Sequence, residues 1–304
     1  MIAPISILEV SMADRGNAKS DPAAWIIDCI RKYAGSAEND LRLDGGREPA
    51  WDEPLVGFSG GDDPLYQRLK EDIGSFFWTP KEIFAATFPD VQAAPGELTV
   101  ISWILPQTER TRRDNEKEKA FPAKRWAHSR KYGEDFNVKL RTHIVDVLRA
   151  AGYAAVAPTA SSLWKVEKSD RYSYASSWSE RHAAYVSGLG TFGLCDGLIT
   201  PRGKAMRCGS VVARIAVPPS ERPYKNHHAY CLFYFDGSCG KCIKRCPADA
   251  ITREGHDKEK CKRYLHDVMT PYSLSRFGLD THPCGLCQTG VPCEAEVPVP
   301  GRTG

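Results

Sequence analysis

The residues with the clearest chemical potential are cysteines near the C-terminal end of the chain. Eight of the eleven lie in its last quarter: Cys231, Cys239, Cys242, Cys246, Cys261, Cys284, Cys287 and Cys293. The first residues, MIAPISILEV, place no Lys or Arg ahead of the apolar run and do not resemble an export signal. We therefore expect a cytoplasmic protein whose thiols bind metal or carry out redox chemistry instead of forming disulfides.

The spacing of these cysteines predicts iron–sulfur clusters. Residues 239–247 contain C-x2-C-x3-C-P, which matches the last three cysteines of the bacterial ferredoxin run C-x2-C-x2-C-x3-C-P. Asp236 stands at the position of the first cysteine of that run, and Cys231 can replace it if the residues between form a bulged loop. A second set follows as Cys261, CGLC (284–287) and Cys293. Eight thiolates are the number that two [4Fe-4S] clusters require.

In ferredoxins the cysteine before the proline ligates the other cluster, and this rule divides the eight into two sets. One cluster is predicted on Cys231, Cys239, Cys242 and Cys293, and the other on Cys246, Cys261, Cys284 and Cys287. Zinc is the alternative, because CGKC and CGLC suit a zinc ribbon, although zinc spacings do not explain the C-x3-C-P element. The remaining cysteines are predicted to be buried structural thiols: Cys29, Cys195 and Cys208.

The elements that must position these cysteines precede them. The composition, 42% hydrophobic and 26% charged, is typical of a soluble globular protein, and no apolar run approaches the roughly 20 residues that span a membrane. Helices are predicted from Asp21 to about Tyr33, from the Thr79 cap, over 134–151 and over about 178–187. Strands are predicted at LTVISWIL (98–105), YAAVAP (153–158) and SVVARIAV (210–217). The charged stretch 108–131 is interpreted as a solvated loop or helix face.

Strand, helix and strand in this order predict an α/β layer. We expect three parts: an N-terminal extension packing on the core (1–97), a cofactor and substrate domain (98–229) and a cluster module (230–304). The net charge of +3 falls to about −1 when two clusters of roughly −2 each are added. Tight nucleic-acid binding is therefore not expected.

A longer segment carries a resemblance to a known family. Residues 178–212, WSERHAAYVSGLGTFGLCDGLITPRGKAMRCGSVV, followed by C-x2-C-x3-C-P and CGLCQTGVPC, resemble the cobalamin-dependent epoxyqueuosine reductases and reductive dehalogenases. The resemblance covers roughly residues 98–295. It implies a nitroreductase-like α/β (α+β) domain that binds base-off cobalamin, followed by a ferredoxin-like module with two [4Fe-4S] clusters.

The resemblance also implies residues that contact cobalamin: Ser177, Gly188, Gly190, Thr191, Phe192, Gly193, Ile199, Thr200, Gly209 and Ser210. Glycines at 188, 190 and 193 would let the backbone approach a flat ligand, although a helix end followed by a turn explains them equally. The chain has no D-x-H-x-x-G motif, so no histidine ligand from that motif is available to the cobalt.

Tyr174 is the predicted proton donor. Epoxyqueuosine reductases carry a catalytic Asp at this position, six residues before the Glu that matches Glu180, whereas the dehalogenases use a tyrosine. A cation from Arg171, Arg202 or Lys204 would lower the phenol pKa if folding brings it close. Strand packing is the alternative for Tyr174, and Tyr172 is the next candidate for the acid.

The leading functional hypothesis is a reductase. An external donor such as a ferredoxin or flavodoxin would supply electrons, and the substrate would be a small electrophile, epoxide-like or halogenated. The alternatives are a two-cluster electron carrier and a flavin-dependent, nitroreductase-like enzyme whose clusters reduce FMN. The chain ends eleven residues after Cys293, without the C-terminal repeats that hold tRNA in epoxyqueuosine reductases. From this we expect neither tRNA nor a membrane as a partner.

Overall fold

The computed structural model describes residues 18–299, so the N-terminal MIAPISILEV segment lies outside the described residues. The strands are β1 (Leu55–Gly60), β2 (Leu98–Pro106), β3 (Ala155–Val156), β4 (Val166–Ser169), β5 (Ser173–Ser176), β6 (Thr191–Phe192), β7 (Leu198–Ile199), β8 (Met206–Arg214), β9 (Ile251–Thr252) and β10 (Gly255–His256). The α-helices are α1 (Pro22–Ala34), α2 (Pro64–Ile73), α3 (Pro80–Thr87), α4 (Glu109–Lys117), α5 (Lys124–His128), α6 (Glu134–Ala150), α7 (Glu180–Val186), α8 (Leu232–Phe235), α9 (Lys241–Lys244), α10 (Lys258–Tyr264) and α11 (Thr270–Phe277). Turns of π-helix join α5 to α6 (Ser129–Gly133) and α10 to α11 (Leu265–Met269).

A four-stranded sheet in the order β1-β2-β8-β3 forms the centre of the fold, and all neighbours in it are antiparallel. Every residue of β2 is buried, which explains its continuous apolar run. Helix α6 connects β2 to β3, and β8 pairs between these two strands. The predicted mixed α/β fold class is confirmed. Strand β1, from the predicted N-terminal extension, pairs with β2, and the three-part division of the chain stays a prediction.

Helices cover both faces of this sheet. On one face α1 and α6 pack against β2 and β8, with Trp25, Ile30, Phe136 and Leu140 in a shared core. On the other face α2, α3 and α7 form a second core that includes Trp178. The predicted helix starts are confirmed, since the Asp21 side chain accepts from the backbone N–H of Ala24 and Thr79 forms a capping box with Glu82. Each such cap contributes about 1 kcal/mol.

Three predicted segments differ from the structure. YAAVAP forms only the two-residue strand β3, because the chain leaves the sheet after Val156, and the strand predicted over 210–217 is β8 (Met206–Arg214). The charged stretch 108–131 contains α4 and α5, as the prediction of a helix face allows, but part of it is buried because Asn115 and Trp126 point inward. Charge density alone does not separate these inward side chains from their solvated neighbours. No helix within residues 18–299 is long and apolar enough to cross a membrane.

Candidate iron–sulfur and active site

Two cavities lie in the C-terminal part of the chain, and each is lined by four of the eight cysteines. The first cavity is lined by Cys231, Cys239, Cys242 and Cys293. The second is lined by Cys246, Cys261, Cys284 and Cys287. The structure thus brings together the same two sets that the ferredoxin rule predicts from the sequence. Cluster binding by these cysteines stays a prediction.

Cys293 belongs to the first set, although it follows the CGLC pair, because its segment packs beside residues 203–205, just before β8. The backbone N–H of Lys204 donates to the Cys293 carbonyl at 2.9 Å, and that of Ala205 donates to Glu294 at 3.1 Å. Gly203, at φ +75°, allows this approach, because a Cβ there would lie 2.1 Å from the Glu294 carbonyl oxygen. These contacts bring Cys293 to the first cavity although it follows the CGLC pair.

Arg245 fixes the loops around the second cavity. This role of Arg245 was not predicted from the sequence. Its guanidinium donates to the carbonyls of Leu286 and Thr289 at 3.1 and 3.0 Å and to that of Asn115 at 3.2 Å. It therefore ties the segment after CGLC to helix α4 while its neighbour Cys246 faces the cavity. The signal that could have indicated this role is an arginine, whose guanidinium has five N–H donors, directly before the predicted ligand Cys246.

The chemistry of the two cysteine sets fits a cationic core of iron and sulfide that their thiolates would bind. All eleven cysteines are free thiols, and burial raises the pKa of Cys284 and Cys293 to about 11. Buried thiolates need positive charge nearby, which cluster iron supplies. Within the described part of the chain, no three His, Cys, Asp or Glu side chains are placed to hold a single metal ion. The thiols instead surround the two cavities.

The remaining three cysteines occupy different environments. Cys208 is buried, and burial raises its pKa to about 12, while Cys29 is half-buried against the core of α1 and α6. Cys195 is buried in one packed cluster with Cys242 and Cys287, and it lines the second cavity. The Nζ atom of Lys204 lies 3.2 Å from the Cys195 Sγ atom.

The second cavity extends beyond its four cysteines. Gln107, Arg130, Arg181 and Met206 also line it, so it opens toward the sheet at the end of β2 and the start of β8. His256 lies at its edge, with Nδ1 3.0 Å from an Asp196 carboxylate oxygen. Burial lowers the pKa of His256, but hydrogen bonds to Asp196 and Cys261 outweigh it and raise the pKa to about 10.

The predicted cobalamin contacts are largely occupied by the chain itself. A Cβ at Gly188 would lie 2.3 Å from the Glu221 carbonyl oxygen, one at Gly190 2.2 Å from that of Ile199, and one at Gly209 2.4 Å from the Trp103 ring. Five further residues of the set are buried: Ser177, Thr191, Ile199, Thr200 and Ser210. Phe192 is half-buried, and Gly193 lines the first cavity. A corrin does not fit against these three glycines as they are packed, and cobalamin contact by the set stays a prediction.

Tyr174 lies on β5, close to the second set of cysteines. It is half-buried and lines neither cavity. Its hydroxyl donates to the carbonyl of Lys258 at 3.3 Å, three residues before Cys261. Burial raises the pKa of Tyr174, and the negative charges of Glu259 and Cys261 raise it further.

The three cations predicted to lower this pKa lie elsewhere. Arg171 pairs with Asp72, Arg202 with Asp52, and Lys204 contacts Cys195. The cation over the Tyr174 ring is instead Lys262, with Nζ 4.7 Å from the ring centroid. The phenol therefore keeps its proton at neutral pH.

Glu180, part of the motif that carries the family resemblance, is a buried anchor. It accepts from the Nε atom of Arg141 at 3.0 Å, from the Thr159 hydroxyl at 2.8 Å and from the Ser210 hydroxyl. Ser210 in turn accepts from the Trp178 indole at 3.0 Å. Burial raises the pKa of Glu180, and Arg141 opposes this rise. The network joins α7 to α6 and β8 beside the second cavity.

Replacing Arg141 with methionine should destabilise the protein by about 3–5 kcal/mol, because it leaves the Glu180 carboxylate buried without its cation. The loss of stability should be smaller at about pH 5 than at about pH 8. A buried carboxyl whose pKa is higher in the folded than in the unfolded state takes up a proton as the pH falls, and this uptake favours the folded state. Urea unfolding at both pH values measures this. The control is Arg31→Met, which removes an exposed ion pair with Glu53 and should cost under about 1 kcal/mol. Equal losses in the two variants would contradict the role of the anchor.

Comparisons with known proteins find similarity to two kinds of reductase. No protein-family model matches the chain. An epoxyqueuosine reductase of Bacillus anthracis is 29% identical over 119 residues, which cover 38% of this chain and 29% of that enzyme. A catabolic reductive dehalogenase solved with 3-bromo-4-hydroxybenzoic acid aligns with a TM-score of 0.50 and 18% identity, covering 94% of this chain and 40% of that one. An epoxyqueuosine reductase solved with a modified tRNA stem loop aligns with a TM-score of 0.46 and 19% identity, covering 88% and 64%.

The resemblance to the superfamily of epoxyqueuosine reductases and reductive dehalogenases is confirmed. The relatives support an oxidoreductase. The chain spans less than two thirds of the length of each of these relatives, so its own activity and substrate are matters for proposal.

One prediction about partners is wrong. tRNA was not expected, yet the curated relative is an epoxyqueuosine reductase and another such reductase was solved with an epoxyqueuosine-modified tRNA stem loop. The prediction rested on a nearly balanced net charge and on the position of the last residue. Net charge averages the whole surface and does not describe a local patch, and the end of the chain does not limit what its earlier residues bind.

Proposed function

We propose that this protein is an iron–sulfur reductase that carries one [4Fe-4S] cluster in each of the two cavities. The observation that carries the proposal is the division of eight cysteines into two sets of four, each around its own cavity. In this proposal residues 98–229 form the cofactor and substrate domain and residues 230–304 the cluster module. An external donor such as a ferredoxin or flavodoxin supplies the electrons.

Base-off cobalamin is the proposed acceptor, on the strength of the family resemblance, and it would bind away from Gly188, Gly190 and Gly209, which pack against the chain itself. When bound, the clusters supply one-electron transfer and cobalamin supplies a strongly reducing metal centre. The chain's own residues orient and protonate the substrate. Arg181 and Gln107 are polar residues in the lining of the second cavity, and Tyr174 holds a phenolic proton near the Cys261 loop.

The proposed substrate carries a small electrophilic group, an epoxide or a carbon–halogen bond. The compounds bound in two of the similar solved structures are the first to test: an epoxyqueuosine-modified tRNA stem loop and 3-bromo-4-hydroxybenzoic acid. Reduction of the carbon–halogen bond consumes two electrons and one proton and releases halide, and reduction of the epoxide consumes two electrons and two protons. The clusters would supply the electrons and Tyr174 one proton, and solvent would supply the second proton that the epoxide needs.

The experiment is an anaerobic assay with a chemical reductant and each of the two compounds. It compares the protein reconstituted with iron and sulfide alone, with added hydroxocobalamin, and with added FMN. We expect turnover of one compound only with cobalamin present. Turnover with FMN, or without either cofactor, would contradict the cobalamin proposal. Reversible reduction of the clusters with no turnover in any sample would indicate the electron-carrier alternative.

A further inference from the structure

A buried lysine lies in the wall between the two cavities. Lys204 is only 2% exposed and lines the first cavity. Its ammonium contacts Cys195, with 3.2 Å between Nζ and Sγ, and Cys195 lines the second cavity. Cys195 also packs in one buried cluster with a member of each cysteine set, Cys242 and Cys287. Lys204 and Cys195 therefore connect the two cavities.

The ammonium has no carboxylate partner in the described part of the chain. The side-chain group that it contacts is the Cys195 thiol, and the four cysteines of the first set line the same cavity as Lys204. Burying an ammonium without a counter-charge is strongly unfavourable, and buried charges are normally paired. Because its backbone also bonds to Cys293, Lys204 is fixed at this position. The protein thus maintains a positive charge directly beside a set of cysteines.

A [4Fe-4S] cluster with four thiolates is the matching negative group. It carries roughly −2 when oxidised and one further negative charge when reduced. We propose that Lys204 is the buried counter-charge of the cluster in the first cavity and raises the reduction potential of that cluster. This inference rests on the proposed function, because it needs a cluster in that cavity. Cys195 is a positioning residue that holds the ammonium between the cavities.

The effect follows from the change of charge on reduction. A cation stabilises the reduced cluster more than the oxidised one, and it does so strongly where water is excluded. Lys204 is among the residues that line the first cavity and is not among those that line the second. Loss of the charge should therefore lower the potential of the first cluster more than that of the second.

The test is a redox titration followed by electron paramagnetic resonance of the reconstituted full chain. In Lys204→Gln, reduction of the first cluster should become at least about tenfold less favourable, a shift of about 59 mV to lower potential. Lys204→Arg should keep the potential close to that of the wild type. The matched control is Lys244→Gln, which removes an exposed charge between the predicted ligands Cys242 and Cys246. A shift in Lys204→Gln no larger than in the control would overturn the proposal.

Lys204→Gln could also fail to assemble its clusters. In that case the iron content of Lys204→Arg decides. A full iron content in Lys204→Arg means that the positive charge is required. Loss of iron in both variants means that the lysine only packs, and this result overturns the proposal. If instead the wild type assembles no clusters, the proposed function fails and this inference fails with it.

Discussion

Replacing Cys293 with alanine is expected to remove about four of eight iron atoms, because a [4Fe-4S] cluster needs all four thiolates. Although Cys293 follows the CGLC pair in sequence, it lines the first cavity with Cys231, Cys239 and Cys242. The cluster lost should therefore be that of the first cavity. Iron and acid-labile sulfide analysis of the anaerobically reconstituted protein measures the loss.

Double variants identify which cluster is lost. Cys231→Ala with Cys293→Ala removes two residues of the first cavity and should leave about four iron atoms, whereas Cys261→Ala with Cys293→Ala should leave none. Exchange of these two results would mean that the last cysteine ligates the cluster of its own motif. The control is Cys208→Ala, a buried thiol outside both sets, which should retain all of the iron.

Replacing Tyr174 with phenylalanine should slow turnover by at least about 100-fold, because general acid catalysis typically contributes 10²–10⁴-fold. The pKa of Tyr174 is raised by burial and by Glu259 and Cys261, so the phenol remains a proton donor across the neutral range. The rate of the wild type should consequently show no alkaline loss from this group below about pH 10. The measurement is kcat on whichever compound the wild type reduces.

Tyr172→Phe is the matched control on the same hairpin. The Tyr172 hydroxyl donates to the carboxylate of Asp72, a charged acceptor that holds the proton more strongly than the Lys258 carbonyl holds that of Tyr174. The Tyr172 variant should therefore lose less than about tenfold. Cluster content should be unchanged in both variants. A wild-type rate in Tyr174→Phe would remove this residue from the mechanism, and a larger loss in Tyr172→Phe would transfer the role of acid to Tyr172.

Local sequence signals predicted much of the fold because they act over a few residues. Asp21 before Pro22 determined the start of α1, and the apolar positions Phe136, Leu140 and Ile144 identified the buried face of α6. Strand β1 was missed as part of the sheet. Its pairing with β2 joins residues about 40 positions apart, and no local pattern encodes such a contact.

The candidate site shows the same limit. Covalent geometry around a cluster constrains cysteine spacing, so the two sets could be derived from C-x3-C-P and CGLC alone. The surroundings could not, since no local pattern encodes the contact between Lys204 and Cys195 or the pairing of the 293–294 segment beside Gly203. The glycines at 188, 190 and 209 could serve a ligand or the chain's own packing, and the structure shows them against Glu221, Ile199 and Trp103.

The most direct test of the account is the metal content of the wild-type protein purified without oxygen. Two [4Fe-4S] clusters predict about eight iron atoms and about eight acid-labile sulfides per chain, with zinc below stoichiometric amounts. About four iron atoms per chain, or stoichiometric zinc without sulfide, would contradict the assignment of one cluster to each cavity.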